Sequence, residues 1–310
     1  MNKIKTAVIG VGSLGQHHAR IMATHPGSEL VAIVDTDVKR REKIASSFSV
    51  ASFDSAHDII GLAQAAVISV PTPLHYMIAH ELLFAGVHCL VEKPFTSTVE
   101  EAQELIAIAR DKNLVLQVGH VERFNPAVTA AVPFIYNPKF IEVNRLGPYD
   151  PRTSHIGVVL DLMIHDLDIL LTLVNDTVVS LEAHGAKVLS DHEDIVKVRL
   201  KFARGCVADV SASRVSIEKY RKIRIFQNDC YISVDYAGKS LKVYRKKSAV
   251  VKGLSDIEII KPKLKDVEPL YGEADHFLQC IASGKKPMVS GEHGRDAIEL
   301  AFEILRTLNL

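Results

Sequence analysis

The chain has 310 residues, with 37 Lys+Arg against 37 Asp+Glu and so no formal net charge. That balance excludes a surface built for nucleic acid or an anionic membrane, either of which calls for a basic surplus. An apolar fraction of 47% excludes disorder, and the length allows one large domain or two medium ones. Cys89, Cys206, Cys230 and Cys280 lie far apart with no CxxC pairing. They fit neither a zinc site nor a disulfide framework, so reduced thiols in a cytoplasmic protein are expected. The N-terminus runs straight into a strand pattern, so no signal peptide is expected. The longest apolar run carries interior charges, so no membrane span is expected.

Lys5–Ile9 is a short apolar run of the kind found in buried parallel strands. It leads into Gly10-Val11-Gly12-Ser13-Leu14-Gly15, and a helical pattern follows. Strand, GxGxxG and helix together form a dinucleotide fingerprint. Gly10 permits the turn, Gly12 lets backbone approach a pyrophosphate, and Gly15 lets helix and strand pack closely. Ser13 and Leu14 bring the N–H groups of the helix N-terminus to the phosphates.

The next strand, Leu30–Val34, ends in Asp35. That position lies about 20 residues past the glycines, where an acid accepts hydrogen bonds from a ribose diol. NAD is therefore favoured over NADP. Lys39, Arg40 and Arg41 close by are expected to form a solvated helix face. A third strand, Ala65–Val70, ends in Pro71-Thr72-Pro73-Leu74-His75. Val70, Pro71, Thr72 and His75 thus fall at the crevice edge of an open sheet, where ligands bind. For His75 the alternative is a loop that caps the following helix. Val87–Val91 is followed by Glu92-Lys93-Pro94. This places Glu92 and Lys93 beside the crevice that holds a nicotinamide ring, unless Lys93 is merely an exposed turn residue. Its bond to Pro94 is of the type that adopts the cis form cheaply. A helix, Val99–Arg110, and a strand, Val115–Gly119, complete an alternating β/α pattern. This predicts a doubly wound parallel sheet. The expected boundaries are residues 1–122 for a Rossmann domain and 123–310 for a second, α+β domain.

The stretch Gly157–Leu171 reads as a buried helix, yet it carries Asp161, His165, Asp166 and Asp168. Spacings of four and three put Asp161, His165 and Asp168 on one stripe. Buried charges must be paired or line a cavity, so the stripe is either an acid–base site or a set of satisfied structural groups. Strand patterns follow from Val178 to Tyr244, with Phe140–Val143 leading them, and helices return at Ala274–Ala282 and Gly294–Leu308. The expectation is a large, mostly antiparallel sheet with one face under the Gly157–Leu171 helix. The other face is left for a second subunit, giving a homodimer or homotetramer. No metal is expected. His17 and His18 begin a helix, and His165 has no second histidine at ligand spacing.

Three motifs, Gly10–Gly15, Glu92-Lys93-Pro94 and Asp161-x-x-x-His165-Asp166, together resemble the glucose–fructose oxidoreductase/inositol dehydrogenase (Gfo/Idh/MocA) family. The resemblance covers the whole chain in order and spacing. It implies a Rossmann domain followed by an open-faced sheet domain, NAD(P) between them, and Lys93, Asp161 and His165 as catalytic positions. Gly119–Ala127 and Gly157–Asp161 look like the bacterial nucleotide-sugar branch, in particular the UDP-N-acetylglucosamine 3-dehydrogenases. That branch implies oxidation of a UDP-sugar at its 3-OH on the way to lipid A. His165 is the first choice as general base, because imidazole titrates nearest neutrality. Lys93 then stabilises the developing alkoxide, although the two roles can be exchanged. Asp161 orients a sugar hydroxyl or the imidazole. Arg123, Asn125 and Arg152 are candidates for sugar or diphosphate contacts, against ordinary surface polarity. The alternatives are a free sugar, inositol-type polyol or dihydrodiol as substrate, and a non-catalytic NAD(H)-binding redox sensor.

Overall fold

A computed structural model describes residues 3–308 and 310. It forms two compact units, residues 1–121 with 268–298 and residues 122–267 with 299–310.

In the first unit, strands β1 (Ile4–Ile9), β2 (Ser28–Val34), β3 (Ala51–Phe53), β4 (Ala65–Ile68), β5 (His88–Glu92) and β6 (Leu116–Gly119) form one sheet. Its order is β3-β2-β1-β4-β5-β6, and every pairing is parallel. Helices α1 (Gly15–Thr24), α2 (Val38–Phe48), α3 (His75–Phe84) and α4 (Val99–Asp111) connect the strands. The order reverses between β1 and β4, the switch point at which doubly wound sheets open a ligand crevice. Strands β4 and β5 are almost wholly buried, which explains their unbroken apolar runs.

The second unit opens with the short helix α5 (Pro126–Ala131) and strand β7 (Phe140–Leu146). Helix α6 (Ile164–Val174) precedes strands β8 (Val178–Ala186), β9 (Ile195–Phe202) and β10 (Val207–Ser213). Strands β11 (Tyr220–Phe226), β12 (Cys230–Asp235), β13 (Ser240–Lys246) and β14 (Ile257–Ile260) follow. The sheet runs β14-β13-β12-β11-β7-β10-β9-β8 and is antiparallel except where β7 meets β10. Residues alternate strictly along β9, with Val196, Val198, Leu200 and Phe202 inward. These pack with Val159, Met163, Leu167 and Leu170 in one core, so the expected helix does cover one face.

Two differences from the expected layout stand out. The helical stretch begins as a π-helix, Val159–Met163, and becomes α-helical only at Ile164. Its entry is fixed by Glu193, whose carboxylate accepts the Val159 N–H at 3.2 Å. A Cβ on Gly157 would lie 1.9 Å from that carboxylate, so a side chain there would have to displace Glu193. The domain boundary also differs. Helix α7 (Pro269–Ser283) belongs to the first unit, and α8 (Gly291–Thr307) begins in the first and ends in the second. The cause is burial: Leu270, Ala274 and Phe277 join the core of Ile21, Met22, Ile33 and Leu90. Around that seam Arg20 pairs with Glu268 and His25 with Asp275.

Candidate active site

The glycine loop divides its tasks as its spacing implies. Gly10 has φ +79° and no room for a Cβ, which would lie 2.6 Å from the Ser69 carbonyl oxygen. A Cβ on Gly15 would lie 1.8 Å from the Gly10 carbonyl oxygen, so α1 starts against the turn itself. Gly12 by contrast meets only Arg40, at 3.9 Å, and leaves backbone open to a ligand. Ser13 and Leu14 are exposed beside it. A pyrophosphate fits this cradle.

Asp35 is nearly buried at the end of β2. Its carboxylate accepts the Val11 N–H at 2.9 Å and the Asp37 N–H at 2.8 Å. Arg40 reaches the same carboxylate at 3.4 Å, and Arg41 donates to the Asp35 carbonyl at 3.2 Å. The basic run is therefore not a purely solvated face. It braces Asp35.

Glu92 and His75 correct the expected cofactor contacts. Glu92 is buried, takes the His18 ring at 2.7 Å and accepts the Lys93 N–H at 3.2 Å. Glu273, fully buried on α7, completes a cluster with one ligand-type atom from each residue within 4.8 Å of the others. Burial and then the Glu92 charge push the Glu273 carboxyl well above its ordinary range. Within the cluster His18 and Glu92 share a hydrogen bond, whereas neither Glu273 oxygen has a hydrogen-bond partner among the described residues. His75 is also buried, with one ring nitrogen 2.8 Å from the Val70 carbonyl and the other 2.9 Å from that of Pro94. It ties the loop after β4 to the segment after β5 and makes no open surface for a cofactor. Val70, Thr72 and Lys93 keep partial exposure at the strand ends, and Pro71 is exposed. The Lys93–Pro94 bond is cis.

In the second unit the predicted stripe splits. Asp161 in the π-turn and His165 in the first turn of α6 are half-buried, whereas Asp166 and Asp168 are buried. Asp168 pairs with Arg123 at 3.3 Å, yet burial pushes its carboxyl up to about 7. Asp166 forks onto Arg145 at 2.6 and 2.9 Å, and Arg145 also reaches Glu122 at 3.0 Å. Only Asp161 and His165 are left as reactive candidates on that helix.

The sugar or diphosphate contacts expected of Arg123 and Asn125 are replaced by internal ones. Arg123 also donates to Thr172. Asn125 caps α5 by accepting the Ala127 N–H at 3.0 Å, and its amide donates to Glu122 at 3.1 Å. Arg152 is exposed and forks onto Asp150, holding that carboxyl down to about 2. Sequence reasoning missed a different cationic group. A cavity of about 350 Å³ is lined by Asp161 together with Arg145, Arg214, Lys219 and Arg221. Alternation along β11 was the signal available, but it does not reveal which strand lies opposite.

A glycine cradle, a buried acid after β2, Lys93 at a strand end and an Asp–His pair on a separate helix define a nicotinamide-dependent oxidoreductase. Residues 4–120 match the oxidoreductase family with an NAD-binding Rossmann fold, and residues 141–233 match the Gfo/Idh/MocA C-terminal domain. The chain belongs to the Gfo/Idh/MocA family. UDP-N-acetylglucosamine 3-dehydrogenase of Acidithiobacillus ferrooxidans is 35% identical over 98% of this chain and 97% of its own. A solved structure of that enzyme superposes with a TM-score of 0.93, covering 99% of this chain and 98% of its own. NAD-dependent scyllo-inositol 2-dehydrogenase of Bacillus subtilis is 25% identical over 93% of this chain and 89% of its own. Levoglucosan dehydrogenase, solved with NADH and levoglucosan, shares the fold at a TM-score of 0.88 and 21% identity, covering 99% of this chain and 97% of its own. The first unit is thus an NAD-binding Rossmann domain. No helix among the described residues is long and apolar enough to cross a membrane.

Proposed function

We propose that the protein oxidises a secondary hydroxyl of a nucleotide sugar, with the 3-OH of UDP-N-acetylglucosamine as the preferred substrate. The observation that carries this is the 35% identity to a UDP-N-acetylglucosamine 3-dehydrogenase over 98% of the chain, with Asp161 and His165 half-open on one helix. Oxidation removes a hydride from carbon and a proton from oxygen, leaving a ketone. NAD, when bound, supplies the hydride acceptor. His165 takes the hydroxyl proton, and Lys93 donates a hydrogen bond to the same oxygen as charge develops on it. Asp161, one turn before His165, fixes the sugar or the imidazole. The 3-keto product suits a transaminase, which would install an amine for amide-linked lipid A. We further propose that copies of the chain pair through the outer face of the eight-stranded sheet, which light scattering on the purified protein checks directly.

The deciding assay follows NADH absorbance with NAD, then NADP, against UDP-N-acetylglucosamine and against inositol. Turnover of the UDP-sugar with NAD is expected. Turnover of inositol alone would replace the substrate, and none across a panel of UDP-sugars and polyols would leave a nicotinamide-binding sensor.

A further inference from the structure

We infer that the cavity beside Asp161 is an anion subsite for the diphosphate of the nucleotide sugar, with Arg221 and Lys219 as its binding residues. This rests on the proposed nucleotide-sugar reaction and adds the ligand subsite to it. The first support is charge accounting inside the second unit. Of the cations lining the cavity, Arg145 is matched by Asp166 and Glu122, and Arg214 by Asp194 at 2.6 Å. Among the described residues, no ion pair is formed by Arg221 or Lys219. The acids on the wall are Asp161 and Asp150, and Asp150 is held by Arg152.

The second support is register. Strands β7 and β11 set Arg221 directly opposite Arg145. Like charges facing across an antiparallel pair destabilise a sheet. Arg221 is also half-buried, and its Nε is sealed from solvent with no hydrogen-bond acceptor among the described residues. Burial and the Arg145 charge both work against its guanidinium, and Glu122, Asp166 and Asp161 offset them only in part. A doubly charged phosphate chain would add the counter-charge that remains lacking. A guanidinium matches phosphate oxygens in bidentate geometry, and Lys219 adds a mobile point charge at the rim. A neutral polyol needs neither. Because Asp161 lines the same cavity, the anion end and the reacting end of one substrate share it.

The test is titration calorimetry of NAD-saturated enzyme with UDP, with uridine and with inorganic pyrophosphate, on wild type, R221Q, R221K and K219Q. We expect R221Q to weaken UDP and pyrophosphate binding about 10–100-fold, the loss of one or two charge-assisted hydrogen bonds. K219Q should cost less, R221K should recover part of the loss, and uridine affinity should not change. The KM for UDP-N-acetylglucosamine should rise in step, with kcat nearly constant. Thermal stability of R221Q should equal or exceed that of wild type, since a like-charge contact is removed. Unchanged UDP affinity in both R221Q and K219Q overturns the subsite, as does an equal loss for uridine and UDP. If wild type binds UDP through Arg221 but does not oxidise the UDP-sugar, the subsite stands and the reaction falls. If it oxidises the UDP-sugar and R221Q matches it, the reaction stands and the subsite falls.

Discussion

The two units bury charge in opposite ways. In the first, His18, Glu92 and Glu273 form an acid-rich group in which Glu273 has no cation partner among the described residues and its carboxyl is pushed up by burial. In the second, three buried carboxylates each have an arginine, Asp166 with Arg145, Asp168 with Arg123 and Asp194 with Arg214, while buried Glu193 accepts a backbone N–H instead. The proposed reactive side chains, Lys93 in one unit and His165 in the other, are half-buried. The difference teaches that the interior charges hold strand ends and the helix in place, while the chemistry is left to groups with access to ligand.

The sharpest test of that division is Lys93→Ala and His165→Ala. Each should lower kcat/KM by about 10²–10⁴-fold in the NADH absorbance assay. Neither should move the melting temperature far, because neither side chain is fully enclosed. A large drop in stability without a loss of rate would break the comparison.

The next effect lies in the arginine-paired unit. Arg214 and backbone N–H groups of residues 188–190 hold the Asp194 carboxyl far below its usual range of about 3.8. Its stabilisation is present above that value and is lost as pH falls toward the native one. Asp194→Asn should cost about 3–5 kcal/mol at pH 7, since Arg214 is left without its partner. The deficit should shrink as the medium is acidified, as urea melts at several pH values would show.

Smaller again is the glycine loop. Gly12→Ala should fold normally and bind NAD about tenfold more weakly, or about 1.4 kcal/mol. Gly15→Ala has no such room and should lose the cofactor altogether. Fluorescence titration with NADH separates the two.

The smallest effect is Glu273→Gln, and its sign is opposite to that of Asp194→Asn. The native carboxyl titrates above its unfolded value of about 4.5, so wild type loses stability as pH rises past that point. The glutamine should remove the loss, giving a gain that grows with pH. A gain in the acid limb instead would mean that Glu273 is ionised and paired.

The glycine loop, Asp35 and the strand-end lysine were legible in the sequence because each is a local pattern whose geometry follows from neighbours in the chain. Asn125 before Pro126 was legible too, as a helix start, but its nearness to the glycine-histidine stretch drew it toward the substrate. Arg123 was misplaced for the same reason. Its partner Asp168 becomes evident only when α6 is folded. Arg221 acquires meaning from the pairing of β11 with β7, a contact no periodicity specifies. The return of 268–298 to the first unit was hidden on the same ground: Phe277 completes a core begun by Ile21, far away in the chain.

That last point bears on how the polypeptide matures. Helix α7 is translated after the whole of 122–267, yet it supplies one wall of the N-terminal unit. On the ribosome the nucleotide-binding half therefore waits, with apolar surface uncovered, until the inserted sheet has emerged. The inserted sheet waits longer still, because Leu300, Ala301, Ile304 and Leu308 at the end of α8 complete its core.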